Sequence, residues 1–211
     1  MIKIKFLGLI LAGIVLVAGS AQAAVLSVTG GDNTQTIDAS FSLGAETGLA
    51  LGAPLIAFNT ANAGSGGLSL TGPGKLTFEF LGSEASFTNT LQVAGGEIFS
   101  NVGTLAGATS SIALPAGLVD FLLTTTGNGG ANAANGGPIT APLSFAFAAI
   151  SDTSLILLFD DGGFGDKDLD DFAVRVSVSQ VPLPAAVWLM LSALLGLVSF
   201  SRIRRNDAGT A

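Results

Sequence analysis

Carboxylates crowd one short stretch of this chain. Six aspartates lie within residues 160–171, and three of them occupy every second position from Asp166 to Asp170. This spacing allows a tight loop to turn three oxygens toward one hard cation, and the glycines between residues 162 and 165 allow the chain to curl back and add a further carboxylate. Because all of these ligands are oxygens, the pattern favours Ca²⁺ over a transition metal. The predicted metal ligands are Asp160, Asp161, Asp166, Asp168 and Asp170.

The same loop allows a second interpretation that needs no metal. Its sequence departs from the EF-hand pattern, because the expected glycine and the closing glutamate are missing. In this second interpretation the loop is a solvated acidic hairpin whose aspartate side chains cap turn amides. In both interpretations it joins two predicted strands, residues 155–159 and 172–178, which must hold its ends together.

The residue types that the chain lacks exclude several classes of function. It has no His and no Cys, which removes histidine-based catalytic triads, zinc fingers, cysteine-ligated clusters and disulfides. The net charge is -7, so no nucleic-acid partner is expected. The phosphate-binding glycine loop of nucleotide-binding proteins and the nucleophile elbow of hydrolases are also missing from the sequence.

Residues 1–23 have the three parts of an export signal. Two lysines form a short basic start, residues 6–18 are an uncharged apolar run, and Ala21 and Ala23 stand at positions -3 and -1 of a cleavage site. The apolar run is shorter than the roughly 20 residues that a membrane span needs. We therefore predict a signal peptide cleaved after Ala23; the alternatives are an uncleaved anchor or a buried helix.

Residues 181–211 have the shape of a sorting signal that stops in the membrane. A proline motif at 181–185 precedes an apolar or small-residue run at 186–201, and arginines follow within the basic tail, 202–211. Tryptophan at one interface and arginine beyond the other are typical of a positioned membrane helix, with the arginines in the cytoplasm. We predict a single C-terminal transmembrane helix at 186–201. The residues that carry this prediction are Val181, Pro182, Leu183, Pro184, Ala185, Trp188, Arg202, Arg204 and Arg205.

This three-part tail resembles the PEP-CTERM class of protein-sorting domains, in its VPLPA variant. The usual Pro-Glu-Pro is replaced by Pro182-Leu183-Pro184, which indicates a sub-type of processing enzyme. The resemblance implies a Gram-negative exporter and an exosortase partner, a membrane-embedded cysteine transpeptidase-like enzyme that cuts near the proline motif. It also implies a mature protein on the cell surface or in a biofilm matrix, with exopolysaccharide as a further expected partner. The alternative is an ordinary single-span membrane protein.

Residues 24–180 form the predicted exported domain, with three basic and fourteen acidic residues and hence a net charge of -11. In residues 75–80 apolar and polar side chains alternate, so Leu76, Phe78 and Phe80 share one face of a strand. The same alternation predicts strands at residues 36–43 and 172–178.

Denser apolar runs are typical of central strands that are covered on both faces. They lie at residues 118–125, 143–150 and 155–159. Glycine, asparagine and proline clusters separate the runs, and the low-complexity stretch 128–137 predicts a flexible hairpin loop or an insertion at the end of the sandwich. Many short strands divided by turns favour an all-β fold, an antiparallel β-sandwich.

We expect a structural or adhesive, non-enzymatic ectodomain. A carbohydrate-binding module is one alternative, although the domain has no Tyr or Trp to form an aromatic platform. A secreted glycosidase is another, with Glu79, Glu84 and Glu97 as its candidate carboxylates. An ice-binding surface, suggested by the names of some proteins with related tails, would need regular threonine arrays, and the threonines here are scattered.

Overall fold

The computed structural model describes residues 23–162 and 168–180, together with the isolated positions 190 and 193. Every pairing between its strands is antiparallel, which confirms the all-β prediction. The elements are β1 (Leu26–Thr29), α1 (Gly44–Thr47), β2 (Ile56–Phe58), β3 (Gly67–Leu70), β4 (Gly74–Gly82), β5 (Asn89–Val93), β6 (Gly96–Ser100), β7 (Thr109–Leu114), β8 (Gly117–Leu118), β9 (Phe121–Thr125), a 3₁₀ turn (Gly127–Gly129), β10 (Asn132–Ala134), β11 (Ser144–Ser151), β12 (Ser154–Asp160) and β13 (Phe172–Gln180).

The strands form three sheets that share one hydrophobic core. Their orders are β2-β11-β12-β13-β4-β7, β10-β9-β5-β6 and β1-β3-β8. Inward side chains of all three sheets meet in a single buried cluster, in which Phe145 stacks on Phe58 at 5.1 Å and meets Phe121 edge-on at 5.7 Å. The arrangement is sandwich-like, with the six-stranded sheet as one layer and the two smaller sheets opposite.

The alternation in residues 75–80 is confirmed in β4. Leu76, Phe78 and Phe80 are buried in the core, whereas Lys75, which directly precedes Leu76, is exposed. Fully burying one such side chain contributes about 1.5–3 kcal/mol, which fixes the face that β4 turns inward. The pairing of β4 with β13 sets Phe80 opposite Val174, so that both strands present their apolar sides to the same core.

The dense apolar run at 155–159 is confirmed as a central strand. β12 lies between β11 and β13, and both of its faces are covered. Leu155, Leu157 and Phe159 enter the main core, while Ile156 and Leu158 enter a second cluster on the outer face of the sheet.

Residues 32–55, which we call the covering layer, supply the other half of this second cluster. Ile37, Leu43 and Leu55 pack there against the outer face of the six-stranded sheet. The strand predicted at 36–43 is wrong, because this segment uses its polar groups locally. Asp38 accepts a hydrogen bond from the backbone N–H of Ser40 (2.9 Å), which turns the chain, and residues 44–47 continue as α1.

The stretch 128–137, predicted as a flexible hairpin loop or an insertion, is a hairpin connection only over residues 128–131, between β9 and β10. Residues 132–134 form β10 at the edge of the four-stranded sheet, where Ala133 pairs with Leu123. Ala131, Ala133 and Asn135 are buried, so the stretch is part of the layered fold.

Residues 1–22 of the predicted signal peptide lie outside the described residues. So do the predicted sorting motif, membrane span and tail, apart from the single positions 190 and 193. Ala23 is described and is exposed. Within the described ranges, the helices are too short or too polar for a membrane crossing.

Candidate metal centre

The acidic loop lies at one end of the sandwich, together with the ends of several strands. Antiparallel pairing sets Ala173 opposite Gly82 and Ser144 opposite Asp160. The end of β4, the end of β12 and the start of β13 therefore meet there. Asn89, the first residue of β5 in the other layer, reaches the same place, because its side-chain amide donates to Asp161 Oδ2 (2.8 Å).

Four aspartates at this end are buried. The exposed fractions are 2% for Asp160, 1% for Asp161, 0% for Asp170 and 8% for Asp171. Burial of an ionised carboxylate is costly unless hydrogen bonds, a proton or a cation compensate for the lost water. The compensation differs between Asp160, Asp161 and Asp171, which belong to a set of residues that we call the inner group, and Asp170, which belongs to an outer group.

The inner group consists of Asp160, Asp161, Asp171 and Asn89, and hydrogen bonds connect it. Asp171 Oδ2 accepts from the backbone N–H of Asp161 (2.7 Å), and Asp160 Oδ1 accepts from that of Gly162 (2.7 Å). Ser144 donates to the other oxygen of Asp160 (3.1 Å). These contacts are the turn-capping bonds expected of an acidic hairpin without a metal.

A proton supplies part of the compensation in the inner group. Burial raises the pKa of Asp171 to about 8, and the negative charges of Asp161 and Asp160 act in the same direction. The hydrogen bond from the Asp161 N–H opposes them, with a smaller effect than burial. Asp171 is thus largely protonated at neutral pH, where its neighbours would otherwise repel it.

The outer group consists of Glu84, Asp168 and Asp170. Each contributes one carboxylate oxygen to a set in which all three atoms lie within 4.8 Å of one another. Calcium binds oxygens at 2.3–2.6 Å, so two ligands on opposite sides of one ion are about 4.8 Å apart. The outer group therefore has the dimensions of a hard-cation site.

Asp170 has one satisfied and one unsatisfied oxygen. Its Oδ2 accepts a hydrogen bond from the backbone N–H of Ser42 in the covering layer. Its Oδ1 is buried and has no hydrogen-bond partner. Such an atom loses its hydration without a replacement, and a cation between the three carboxylates is a direct way to supply one.

Hydrogen bonds between the two segments hold Glu84 and Asp170 next to each other. The N–H of Glu84 donates to the carbonyl of Asp170 (3.1 Å), and Ser83 Oγ donates to the carbonyl of Asp171 (2.6 Å). Leu169 adopts a positive φ of 65° between Asp168 and Asp170, a turn that β-branched and bulky side chains rarely make. The site is thus built by the loop that follows β4 and the segment that precedes β13.

The five aspartates that the sequence predicted as metal ligands do not all lie together in the structure. Asp168 and Asp170 belong to the outer group, Asp160 and Asp161 belong to the hydrogen-bonded inner group, and Asp166 lies outside the described residues. Glu84 was not predicted as a ligand. The signal that could have found it is its position two residues after β4, the strand that pairs with β13.

The three glutamates considered for glycoside hydrolysis do not form a pair. Glu79 is bound by Arg175 at 2.7 Å on the outer face of the sheet. Glu84 is five residues further along the same extended chain, which is roughly 16 Å. Glu97 lies at the start of β6, opposite Gln92, and hence at the end of the sandwich away from Glu84. Facing carboxylates about 5–10 Å apart are needed for that reaction.

A cleft of about 380 Å³ opens beside the loop that follows β4. It is lined by the chain around Ser83–Thr88 and by residues of the β6–β7 connection, among them Asn101 and Thr104. The side-chain amide of Asn101 is already engaged within the protein, because it donates a hydrogen bond to the Phe87 carbonyl (2.8 Å).

Comparison with protein-family models, with curated proteins and with solved structures gave no match for this chain.

Proposed function

We propose that the protein is an exported cell-surface or matrix protein whose C-terminal tail is sorted by an exosortase and whose β-sandwich ectodomain has a structural or adhesive, non-enzymatic role. The observation that carries the proposal is the extent of the folded part. β1 begins at Leu26, shortly after the expected cleavage site at Ala23, and β13 extends to Gln180, the last residue of the continuous described range. The sheets thus fill the interval between the two expected targeting segments.

The arrangement of the two chain ends supports the proposal. Gln180 pairs with Gly74, and a side chain at Gly74 would collide with Ala24 and Val178. The first and last parts of the domain therefore lie at the same end of the sandwich. β13 has nine residues, which places the acidic end about 30 Å away from the exit toward the tail. With the tail in the inner membrane, the acidic end faces outward.

Calcium binding at the acidic end is the second part of the proposal. The oxygen-only ligands suit a hard cation, and the partnerless Asp170 Oδ1 within the outer group is the observation that favours an ion over a purely hydrogen-bonded hairpin. A bound ion would stabilise an otherwise self-repelling domain of net charge -11.

Mass spectrometry of the mature protein from a Gram-negative host with an exosortase tests the sorting proposal. We expect an N-terminus at Ala24 and a C-terminus near the motif at 181–185, with a longer product when the exosortase gene is deleted. An intact 211-residue chain dissolved in the cytosol would overturn the proposal.

Saccharide binding is a second candidate role, and the cleft next to Glu84 favours it. The cleft exposes hydroxyl-bearing side chains, among them Ser86 and Thr88, and is large enough for one sugar ring. A glycan array with the wild type and Ser86→Trp, which fills the cleft, tests this role. Equal signals from both proteins would exclude the cleft as the binding site.

A further inference from the structure

We propose that one Ca²⁺ ion bound by Glu84, Asp168 and Asp170 clamps the covering layer onto the six-stranded sheet. The inference rests on the calcium binding in the proposed function. It adds Glu84 as a ligand from a second loop, and it names the part of the molecule that the ion controls. One oxygen from each of the three carboxylates lies within 4.8 Å of the others. Asp170 Oδ1 is buried and accepts no hydrogen bond.

The clamp acts through the second oxygen of Asp170. This oxygen accepts a hydrogen bond from the backbone N–H of Ser42, which lies in the covering layer, 128 positions earlier in the chain. A carboxylate that coordinates an ion with one oxygen is fixed in position, so its other oxygen is held where Ser42 needs it. Without the ion, Asp170 Oδ1 has no hydrogen-bond partner that would hold the carboxylate in that position.

Leu169 makes a second connection between the ion site and the layer. It stands between the ligands Asp168 and Asp170, and its side chain packs against the second hydrophobic cluster with Ile37 and Leu43. Ligand geometry and the packing beneath the layer are therefore properties of the same three-residue segment.

The layer is anchored independently at its other side. Asp32 and Ala57 exchange two backbone hydrogen bonds of 2.8 Å at the start of the layer, next to β2. Loss of the ion should therefore loosen the part of the layer around Ser42 and α1 and leave its attachment at Asp32 in place. This asymmetry gives the proposal a local signature.

Hydrogen exchange of the full-length chain in detergent micelles measures that signature. We compare the protein in roughly 5 mM CaCl₂, a concentration suited to extracellular calcium sites, with the protein in EGTA. Ca²⁺ should slow exchange in peptides spanning residues 40–48 by about tenfold or more, and it should change residues 30–34 far less.

Isothermal titration calorimetry with CaCl₂ measures how much each proposed ligand contributes to the affinity for Ca²⁺. Glu84→Gln should raise the Kd by about tenfold or more and abolish the calcium-dependent protection of residues 40–48. Glu97→Gln is the matched control, because it makes the same change at the opposite end of the sandwich, and it should bind and respond as the wild type does. Asp168→Asn provides the same test if Glu84→Gln does not fold.

Each possible result decides a different part of the inference. Unchanged affinity in both Glu84→Gln and Asp168→Asn would overturn the ligand assignment. Calcium binding without any change of exchange at residues 40–48 would overturn the clamp and leave the calcium part of the proposed function standing. A chain that binds no Ca²⁺ would overturn both, while the processing sites seen by mass spectrometry would still decide the sorting proposal.

Discussion

Asn135 completes the pairing of Leu68 in the way that a neighbouring strand would. Its side-chain Oδ1 accepts from the Leu68 N–H (2.8 Å), and its Nδ2 donates to the Leu68 carbonyl (2.8 Å). The same Nδ2 also donates to the carbonyl of Val119 (2.7 Å). One buried amide thereby joins β3, the β8–β9 connection and the end of β10.

We expect Asn135→Ala to destabilise the domain by about 3 kcal/mol. The substitution removes the Asn135 partner from the Leu68 N–H and from the Val119 carbonyl, and each unsatisfied buried group costs about 1–3 kcal/mol, whereas the Leu68 carbonyl keeps its bond from the Val119 N–H (3.0 Å). Urea denaturation measures the change. Asn132→Ala is the control, because Asn132 is exposed at the start of β10 and its loss should cost less than about 0.5 kcal/mol. Equal losses in the two variants would contradict the role given to the Asn135 side chain.

Local pattern could not reveal this role. The stretch around Asn135 is rich in glycine, alanine and asparagine, which resembles a flexible loop in composition, and its partner lies 67 residues earlier in the chain. By contrast, the alternation around Phe78 and the apolar run around Leu157 predicted strands correctly, because burial of their own side chains determines those strands.

Phe145 should be among the most sensitive positions of the core. Its side chain is fully buried, and its ring meets Phe58, Phe121 and Phe147 at 5.1–5.7 Å. We expect Phe145→Ala to cost about 3–5 kcal/mol, since the lost contacts leave a cavity between the layers. Leu105→Ala removes an apolar side chain that is 81% exposed and should leave the denaturation midpoint nearly unchanged. A small effect at Phe145 would contradict the shared core of the three sheets.

The candidate site was predictable in part for a related reason. Sequence spacing pointed to Asp168 and Asp170, which the structure brings together, because neighbours in a loop share their surroundings. It could not find Glu84 or Ser42, since their proximity follows from the register of β4 against β13 and from the path of the covering layer.

The covering layer was itself predicted in part as a strand. The turn between Asp38 and Ser40 takes the place of the expected pairing with a neighbouring strand.

Chelation should lower the thermal stability of the protein. An ion at about 100 times its Kd stabilises the folded state by about 2.7 kcal/mol, which corresponds to roughly 5–10 °C for a domain of this size. Thermal denaturation with CaCl₂ and with EGTA measures the difference. Asp168→Ala and Asp170→Ala should remove the response, whereas Asp152→Ala, at the far hairpin of β11 and β12, should keep it. A wild-type midpoint that ignores EGTA would favour the hydrogen-bonded acidic hairpin.

Neutral substitutions of Arg202, Arg204 and Arg205 should impair retention or processing of the tail. Arginines beyond a membrane span hold it in place by the positive-inside rule, so their loss lets the span slip or translocate. Mass spectrometry and cell fractionation measure the C-terminus and location of the product. Lys75→Gln removes a positive charge from the exposed face of β4 and serves as the control. Identical mature proteins from the triple variant and the wild type would contradict the sorting signal.

Asp171→Asn should stabilise the calcium-free protein increasingly as the pH rises. The ordinary pKa of 3.8 applies to the unfolded chain, while burial raises the pKa of Asp171 to about 8 in the folded state. Between these values the folded state holds the extra proton, so wild-type stability falls as the pH rises from about 4 to 8 and then levels off. Asparagine cannot ionise, and its side-chain oxygen can still accept from the Asp161 N–H.

The difference in Tm between Asp171→Asn and the wild type should therefore be close to zero near pH 4 and largest above pH 8, when both are measured in EGTA. Asp120→Asn changes an exposed aspartate and should show no such trend, which separates burial from the overall loss of one negative charge. A difference that is constant across this range would mean that Asp171 does not hold its proton in the folded protein, and that the inner group balances its charge by hydrogen bonds alone.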